Sequence, residues 1–133
     1  MKLLLDTHAF LWFIGGNPEL SGYARKLIEN LENERLLSIA SLWEMSIKAS
    51  IGKLKLELPF TKIVTDHIDG NAIKLLHVTP EHLDTLTILP FHHKDPFDRL
   101  IIVQAQSENM TIVSRDEAFD NYGKIQRIWD REK

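Results

Sequence analysis

The sequence contains no cysteine among its 133 residues, so it has neither a disulfide framework nor a thiolate metal site. It also lacks long hydrophobic runs, since none approaches the ~20 residues that a membrane-spanning helix needs. The N-terminal segment has neither the charged region nor the apolar region of a signal peptide. We therefore expect a cytoplasmic protein that is not associated with a membrane.

Positive charge is scarce as well. The 16 lysines and arginines are outnumbered by 19 aspartates and glutamates, which gives a net charge of −3. This balance argues against a protein held to nucleic acid by bulk positive charge, although an enzyme could still meet RNA or DNA through a local patch and bound cations. The 44% of hydrophobic and 26% of charged residues are ordinary for a soluble protein, and the length predicts one domain over residues 1–133.

What the sequence does contain is an alternation of strand and helix patterns. Strands are predicted at residues 2–5, 36–39, 73–78, 111–114 and 124–129. Helices are predicted at residues 8–14, 21 to about 34, 40–52, from about 61, from 79, and from 96 to about 109. Strands that alternate with helices form a parallel sheet covered on both faces, so we expect an α/β sandwich.

Four acidic residues are predicted to meet at one edge of that sheet. Asp6 and Asp116 follow the first and fourth strands, at their carboxyl ends. Glu44 lies early in the helix that leaves the second strand, and Asp98 lies in the first turn of the helix that leads to the fourth. Because connecting helices run antiparallel to the strands, all four acids share the edge at which such folds bind ligands.

Two of these acids are predicted to face the sheet. The stripe below Asp98 consists of Ile101, Ile102 and Ala105, and Glu44 continues a stripe of Ala40, Ile47 and Ile51. Converging carboxylates that are partly buried destabilise one another, and helix N-termini offset only about 0.3–1 kcal/mol per charge. A hard divalent cation such as Mg²⁺ or Mn²⁺ would relieve the repulsion, activate a water molecule and offset the charge of a phosphodiester.

Each acid also has a simpler explanation. Asp6 could cap the helix at 8–14, Asp116 could cap the short turn that follows it, and Asp98 could be the third-position acid of a capping box. Glu44 is harder to explain in this way, because an unpaired buried glutamate is rare. Taken singly these explanations compete with a metal site, whereas the joint placement of the four acids favours the site.

The segment "DPFD" suggests different roles for its two aspartates. Asp95 precedes Pro96, and a residue before proline avoids the α region, as an N-cap must. Pro96 then takes the first helical position, where its missing N–H costs nothing. Asp98 comes third, at the head of the apolar stripe. We predict that Asp95 mainly caps the helix and that Asp98 mainly binds the metal.

Four stretches carry a family resemblance: "LLLDTHAFLW", "SIASLWEMSIKASIGKL", "DPFDRLIIVQA" and "TIVSRDEAFDNYG". In this order and at these separations they resemble the PIN-domain family, specifically the VapC-type toxin ribonucleases of bacterial toxin–antitoxin pairs. The resemblance covers nearly the whole chain. It implies a catalytic, metal-binding quartet and two supporting hydroxyl positions, namely Asp6, Glu44, Asp98 and Asp116 with Thr7 and Ser114.

The same resemblance implies a fold, an activity and partners. The fold would be a three-layer α/β/α sandwich with a five-stranded parallel sheet. The activity would be cleavage of RNA by an endoribonuclease that depends on Mg²⁺ or Mn²⁺. The protein would form a homodimer and would be inhibited by a cognate antitoxin protein.

Basic and imidazole side chains near the acids raise separate questions. Lys94, Arg99 and Arg115 flank the acids and could either hold RNA phosphates or merely balance negative charge. His92 and His93 are predicted to belong to a solvated loop, because a carboxylate site for a hard cation needs no imidazole.

Large apolar residues are concentrated in two predicted helices of one half of the chain. They are Phe10, Trp12, Phe13, Trp43 and Met45. Most of them should be core, and an exposed patch among them would mark a contact with a second copy or with the antitoxin.

Two other functions fit parts of the pattern. A phosphatase with an aspartyl nucleophile can use a similar sheet, but it usually has a second acid two residues after the first, where this sequence has His8. A non-catalytic PIN-fold binding or regulatory protein would keep the fold with a decayed site, and the intact quartet argues against it. A cation-dependent nuclease assay with one acid neutralised distinguishes these functions.

Overall fold

The computed structural model describes residues 1–130 and contains five parallel strands in one sheet. The strands are β1 (Lys2–Leu5), β2 (Glu34–Ser38), β3 (Lys74–Leu76), β4 (Thr111–Val113) and β5 (Gln126–Ile128). Their order across the sheet is β3-β2-β1-β4-β5, and every neighbouring pair is parallel. The prediction of a five-stranded parallel sheet in an α/β/α sandwich is confirmed.

Six α-helices cover the sheet within the described residues: α1 (Thr7–Ile14), α2 (Gly22–Glu29), α3 (Ile39–Ser50), α4 (Phe60–Lys62), α5 (Pro80–Leu86) and α6 (Pro96–Glu108). The chain continues from α4 through a π-helical segment (Ile63–Ile68) and a 3-10 turn (Asp69–Asn71). A second 3-10 helix (Glu117–Asn121) precedes β5. No helix within residues 1–130 is long and apolar enough to cross a membrane.

Alternating side chains of β1 contribute to two core layers. Leu3 and Leu5 lie in one cluster with residues of α1, α2 and α3, whereas Leu4 lies in the other with residues of α6. All three leucines are completely buried. The central strand is therefore covered on both faces, and this places the residue that follows it, Asp6, at the middle of the sheet's carboxyl edge.

Helix α2 ends at Glu29, so the predicted end near residue 34 is wrong. Nη1 of Arg35 donates a hydrogen bond to the Ile28 carbonyl at 2.7 Å, and the side-chain amide of Asn33 donates to the Leu27 carbonyl at 3.0 Å. These two side chains satisfy carbonyls of the last turn that have no partner within the helix. The chain is then free to enter β2 at Glu34.

Candidate functional site

Asp6 is buried directly after β1, where it also caps α1. Its Oδ1 accepts a hydrogen bond from the Ala9 amide at 2.7 Å. Burial raises the pKa of this carboxyl, while hydrogen bonds from the Ser114 side chain and the Ala9 amide act in the opposite direction. The charge of Asp116 raises the pKa as well, so these two carboxylates lie close enough to interact. Asp6 therefore fills both of the roles considered for it: it caps a helix, and it is one of the acids at this edge of the sheet.

Glu44 is buried in α3 and has two polar partners. The Thr7 hydroxyl lies 2.7 Å from Oε1 and donates to it, and Nζ of Lys48 lies 2.5 Å from Oε2. Thr7 also lies 3.0 Å from the Ser41 hydroxyl, which ties α1 to α3 beneath the acids. The hydrogen bond to Glu44 raises the pKa of Lys48, so Lys48 is a firmly protonated partner.

The stripe predicted around Glu44 is wrong in its second half. Ala40 and Glu44 are buried, but Ile47 is 37% exposed and Ile51 is 59% exposed. None of residues 46–52 is buried, because the last turns of α3 extend beyond the core. Glu44 is therefore at the point where the buried face of α3 ends.

Asp98 lies in the first turn of α6, at the head of a completely buried stripe of Ile101, Ile102 and Ala105. Oδ1 of Asp95 accepts hydrogen bonds from the amides of Phe97 and Asp98 at 2.8 and 3.1 Å. The predicted cap is thus formed by Asp95, and the Asp98 side chain is left for another role.

The Asp98 carboxyl experiences the charges of all the other acids at this edge. Burial is the largest cause that raises its pKa, to about 7. The negative charges of Asp95, Asp6, Glu44 and Asp116 follow as causes in that order. The structure therefore brings the four predicted acids together.

Asp116 is the most exposed of the four, with 49% of its side chain accessible. It caps the 3-10 helix that follows, because its Oδ1 accepts a hydrogen bond from the Ala118 amide at 2.9 Å. Its own amide donates to the Ser114 hydroxyl at 3.0 Å, and Ser114 is fully buried. Ser114 thus interacts with Asp116 through this bond and lowers the pKa of Asp6.

His93 belongs to the site, and its predicted place in a solvated loop is wrong. Only 8% of the residue is exposed, and Nε2 lies 3.1 Å from Oδ2 of Asp116, whereas His92 is exposed. His93, Asp98 and Asp116 each offer an atom within 4.8 Å of the others, a spacing that could hold a metal ion. Nothing in the local sequence separates His93 from His92, because the difference depends on Phe119, which packs on the His93 ring, and on Asp116, which lies 23 residues away and bonds to it.

The three basic residues that flank the acids are placed differently from one another. Arg99 is buried, and its guanidinium donates to the carbonyls of Leu89 and Pro90 at 3.2 and 3.0 Å. This arrangement argues against the predicted phosphate contact of Arg99. Arg115 is about half exposed and pairs with Glu19, and Lys94 is exposed.

The donor set at the acidic edge fits a hard divalent cation. Several carboxylates converge on Asp98, and Lys48 pairs with one of them, Glu44. Burial is the largest cause of the raised pKa of Asp98, and the charges of Asp95, Asp6, Glu44 and Asp116 raise it further. Oxygen donors of this kind suit Mg²⁺ or Mn²⁺, which bind carboxylates and retain several water molecules.

Comparison with known proteins identifies the family to which this sequence is similar. The family model of the PIN domain matches residues 3–125. VapBC2 from Rickettsia felis, crystallised with a DNA fragment from the promoter, contains a chain 18% identical to this one, with a TM-score of 0.72 and coverage of 98% of this chain and 100% of that chain. No curated protein matches the chain.

Other solved structures share the fold at similarly low identity. VapBC-1 from nontypeable Haemophilus influenzae is 18% identical, with a TM-score of 0.63 and coverage of 96% of this chain and 97% of that chain. A toxin–antitoxin complex from Klebsiella pneumoniae is 15% identical, with a TM-score of 0.60 and coverage of 92% and 94%.

The family assignment agrees with the chemistry of the site. PIN domains are generally metal-dependent nucleases, and the edge described above supplies the carboxylates that such a metal needs. The family match spans most of the sequence, and the structural likeness covers nearly all of it. The chain therefore belongs to the PIN domain family.

Proposed function

We propose that this protein is an endoribonuclease that depends on Mg²⁺ or Mn²⁺ and that it is the toxin of a toxin–antitoxin pair. The observation that carries the proposal is the convergence of Asp6, Glu44 and Asp116 on Asp98, whose pKa each of them raises. Family membership supports a nuclease. The structural neighbours, which are VapBC proteins and a toxin–antitoxin complex, support the biological role.

The four acids divide the work of holding the cation and the attacking water. Asp6 and Asp98 would be the main direct ligands of the cation, and Glu44 and Asp116 would bind it directly or through water and orient the nucleophile. When bound, the cation would lower the pKa of a coordinated water and offset the charge that develops on the phosphodiester. Thr7 holds one oxygen of Glu44, at 2.7 Å, so that this carboxylate keeps its orientation.

The RNA substrate is proposed to lie across the acidic edge, with its phosphates against exposed cations. Lys94 is adjacent to the N-cap of α6 and is exposed. Arg115 precedes Asp116, and its guanidinium lies over the Trp12 ring, 4.6 Å from the ring centroid. Phosphate contacts of this kind position RNA without reading its sequence.

The exposed apolar residues of α3 are the proposed contact for the antitoxin, in a protein that we propose to be a homodimer. Trp43 is 58% exposed although it packs edge-on against Phe97, with ring centroids 5.4 Å apart. Ile47 and Ile51 extend this surface along the part of α3 that lies beyond the core. By contrast, Phe10 and Met45 are fully buried, so they belong to the core as predicted.

Cleavage of RNA by the purified protein with Mn²⁺ and with excess EDTA tests the enzymatic part. The wild type should cut only when unchelated Mn²⁺ is present, and Asp6→Asn should abolish cleavage without lowering the thermal melt in EDTA. Asp66→Asn is a matched control, because Asp66 is exposed and is not among the charges that raise the pKa of Asp98. Equal cleavage by the wild type in EDTA would show that the proposed mechanism is wrong.

Growth after expression in a bacterium tests the toxin part. The wild type should arrest growth, Asp6→Asn should not, and co-expression of the antitoxin should relieve the arrest. If a preparation that cleaves RNA in vitro proves harmless at high expression, the protein is a nuclease but not a toxin. If wild type and variant are both inactive in vitro, the non-catalytic PIN-fold alternative is favoured.

A further inference from the structure

The imidazole of His93 lies between two hydrogen-bonding partners in a buried aromatic setting. Its ring packs on the Phe119 ring with centroids 4.8 Å apart and stacks on the Tyr122 ring with centroids 5.5 Å apart. Nε2 lies 3.1 Å from Oδ2 of Asp116, and Nδ1 lies 3.3 Å from the Tyr122 hydroxyl. The direction of the hydrogen bond at each nitrogen decides whether the ring donates to Asp116 or has a lone pair free to bind a cation.

The Tyr122 hydroxyl fixes that direction. Its oxygen accepts hydrogen bonds from the backbone amides of His92 and His93, at 3.1 and 2.8 Å. Two donors occupy the two lone pairs of the phenolic oxygen, so the hydroxyl can engage a third partner only by donating its proton. The nitrogen within reach is Nδ1 of His93, which must therefore accept.

An imidazole that accepts at Nδ1 carries its proton on Nε2 when the ring is neutral. The Nε2–H group then donates to Oδ2 of Asp116, and the same nitrogen has no lone pair for a metal. The other oxygen of this carboxylate accepts from the Ala118 amide at 2.9 Å. Both oxygens of a half-exposed carboxylate are thus held by donors, which fixes the plane of the group.

We propose that Tyr122 and His93 are positioning residues that orient the Asp116 carboxylate toward the cation and keep the imidazole out of the ligand set. The proposal rests on the metal-dependent function proposed above and names two residues that would hold one of the metal ligands in place. Partners that hydrogen-bond a metal ligand in this way tune metal affinity by restricting the ligand's orientation. With the imidazole used as a donor, the edge offers oxygen ligands, which favour Mg²⁺ and Mn²⁺, whereas a free imidazole suits Zn²⁺.

The competing arrangement is that Nε2 of His93 binds the cation directly, together with Asp98 and Asp116. The spacing of these three side chains permits it. It requires an unprotonated Nε2, and the Tyr122 hydroxyl would then face a protonated Nδ1 as a third donor against a filled oxygen. The two arrangements differ in which nitrogen carries the proton, and this can be measured without any assay of activity.

Long-range ¹H–¹⁵N spectra of the ¹⁵N-histidine-labelled, metal-free protein at mildly alkaline pH report the proton on each ring nitrogen. We expect His93 to show a protonated Nε2 and an unprotonated Nδ1. Tyr122→Phe should weaken this preference, because it deletes the hydroxyl that donates to Nδ1 and leaves only the Asp116 carboxylate to hold the proton on Nε2. An unprotonated Nε2 in the wild type overturns the proposal.

Calorimetric titration with Mn²⁺ tests the positioning role with matched variants. His93→Phe keeps a ring between Phe119 and Tyr122 but loses the donor, and we expect it to weaken Mn²⁺ binding about 10- to 100-fold. His93→Gln places an amide N–H near the former Nε2 and should restore most of the affinity. His77→Gln, a change of the same type at an exposed histidine outside the site, should have no effect. Circular dichroism confirms that each variant is folded.

The outcomes separate this inference from the proposed function. Tight Mn²⁺ binding by the wild type with equal losses in His93→Phe and His93→Gln would overturn the inference, because a direct ligand cannot be replaced by an amide donor. If binding by His93→Phe equals that of the wild type, the inference is also wrong, although the metal site stands. If the wild type itself fails to bind Mn²⁺ or Mg²⁺, the proposed metal-dependent function is wrong, and the positioning role that depends on it is wrong as well.

Discussion

Replacement of Asp98 by asparagine should stabilise the metal-free protein, and the size of the effect should depend on pH. The pKa of Asp98 is raised from 3.8 to about 7, chiefly by burial and then by the charges of Asp95, Asp6, Glu44 and Asp116. Between these two values the folded state holds a proton that the unfolded state has released. The folded state therefore binds more protons, and the free energy of unfolding falls as pH rises through this interval.

The size of the effect follows from the difference between the pKa of Asp98 in the folded state and in the unfolded state. A difference of about three units at about 1.36 kcal/mol per unit gives about 4 kcal/mol, reached above the folded-state pKa. Below about pH 4 the carboxyl is protonated in both states and contributes none of this penalty. Asp98→Asn removes the ionisable group, so the variant should exceed the wild type in stability by up to about 4 kcal/mol at mildly alkaline pH. Near pH 4 the two should differ little.

Urea unfolding in EDTA, monitored by circular dichroism at acidic and mildly alkaline pH, measures this difference. Saturating Mn²⁺ should reverse the ranking at alkaline pH, because the wild type gains stability from a ligand that the variant binds poorly. The reasoning is refuted if Asp98→Asn lowers stability in EDTA equally at both pH values. That result would mean that the carboxylate makes a favourable contact in the folded protein without metal.

Four further predictions concern neighbouring side chains. Asp95→Ala should lower stability by about 1 kcal/mol in thermal melts, whereas Asp95→Asn should keep the cap. Arg99→Ala should lower the melting temperature, because the Leu89 and Pro90 carbonyls lose their donors, and a drop in RNA affinity without such a shift would contradict its structural role. Arg115→Ala should weaken RNA binding at an unchanged melting temperature, as filter binding can test. Lys48→Met should tighten Mn²⁺ binding severalfold in calorimetry, since it frees one oxygen of Glu44, and weaker binding would show that Lys48 positions Glu44 instead.

The features that sequence predicted well are those set by local rules. The pairing of Asp95 with Pro96 determines the start of α6, because proline restricts the preceding backbone and fills a position that needs no N–H. Likewise Thr79 and Pro80 start α5 as expected, and the His82 side chain completes a capping box there. Strand–helix alternation leads to a parallel sheet in the same way, since parallel strands require crossovers.

The features that sequence predicted poorly depend on where an element meets the rest of the molecule. Ile51 has the helical phase of Ala40 and Glu44, yet it is exposed, because α3 continues past the body of the protein. Periodicity describes the face on which a side chain lies but not how far the core extends beneath it. The buried position of His93 likewise depends on Phe119 and Asp116 in a distant segment, and no local pattern carries that information.

The two aspartates at the strand ends show why the cap and metal interpretations are compatible. Asp6 and Asp116 each use Oδ1 to accept a backbone N–H, and Oδ2 of Asp116 is also bonded to His93. Because a carboxylate oxygen has more than one lone pair, these bonds still leave acceptor positions for a cation. A carboxylate in an N-cap is therefore oriented by the start of the element that follows it, and a ligand needs that orientation. Asn caps about as well as Asp but binds hard cations poorly, so Asp6→Asn should retain the cap and lose the metal. Asp6→Ala should lose both, and the difference between the two melts in EDTA, about 1 kcal/mol, measures the cap alone. Equal destabilisation by both variants would mean that α1 depends on the charge of Asp6, and the two roles could not then be separated.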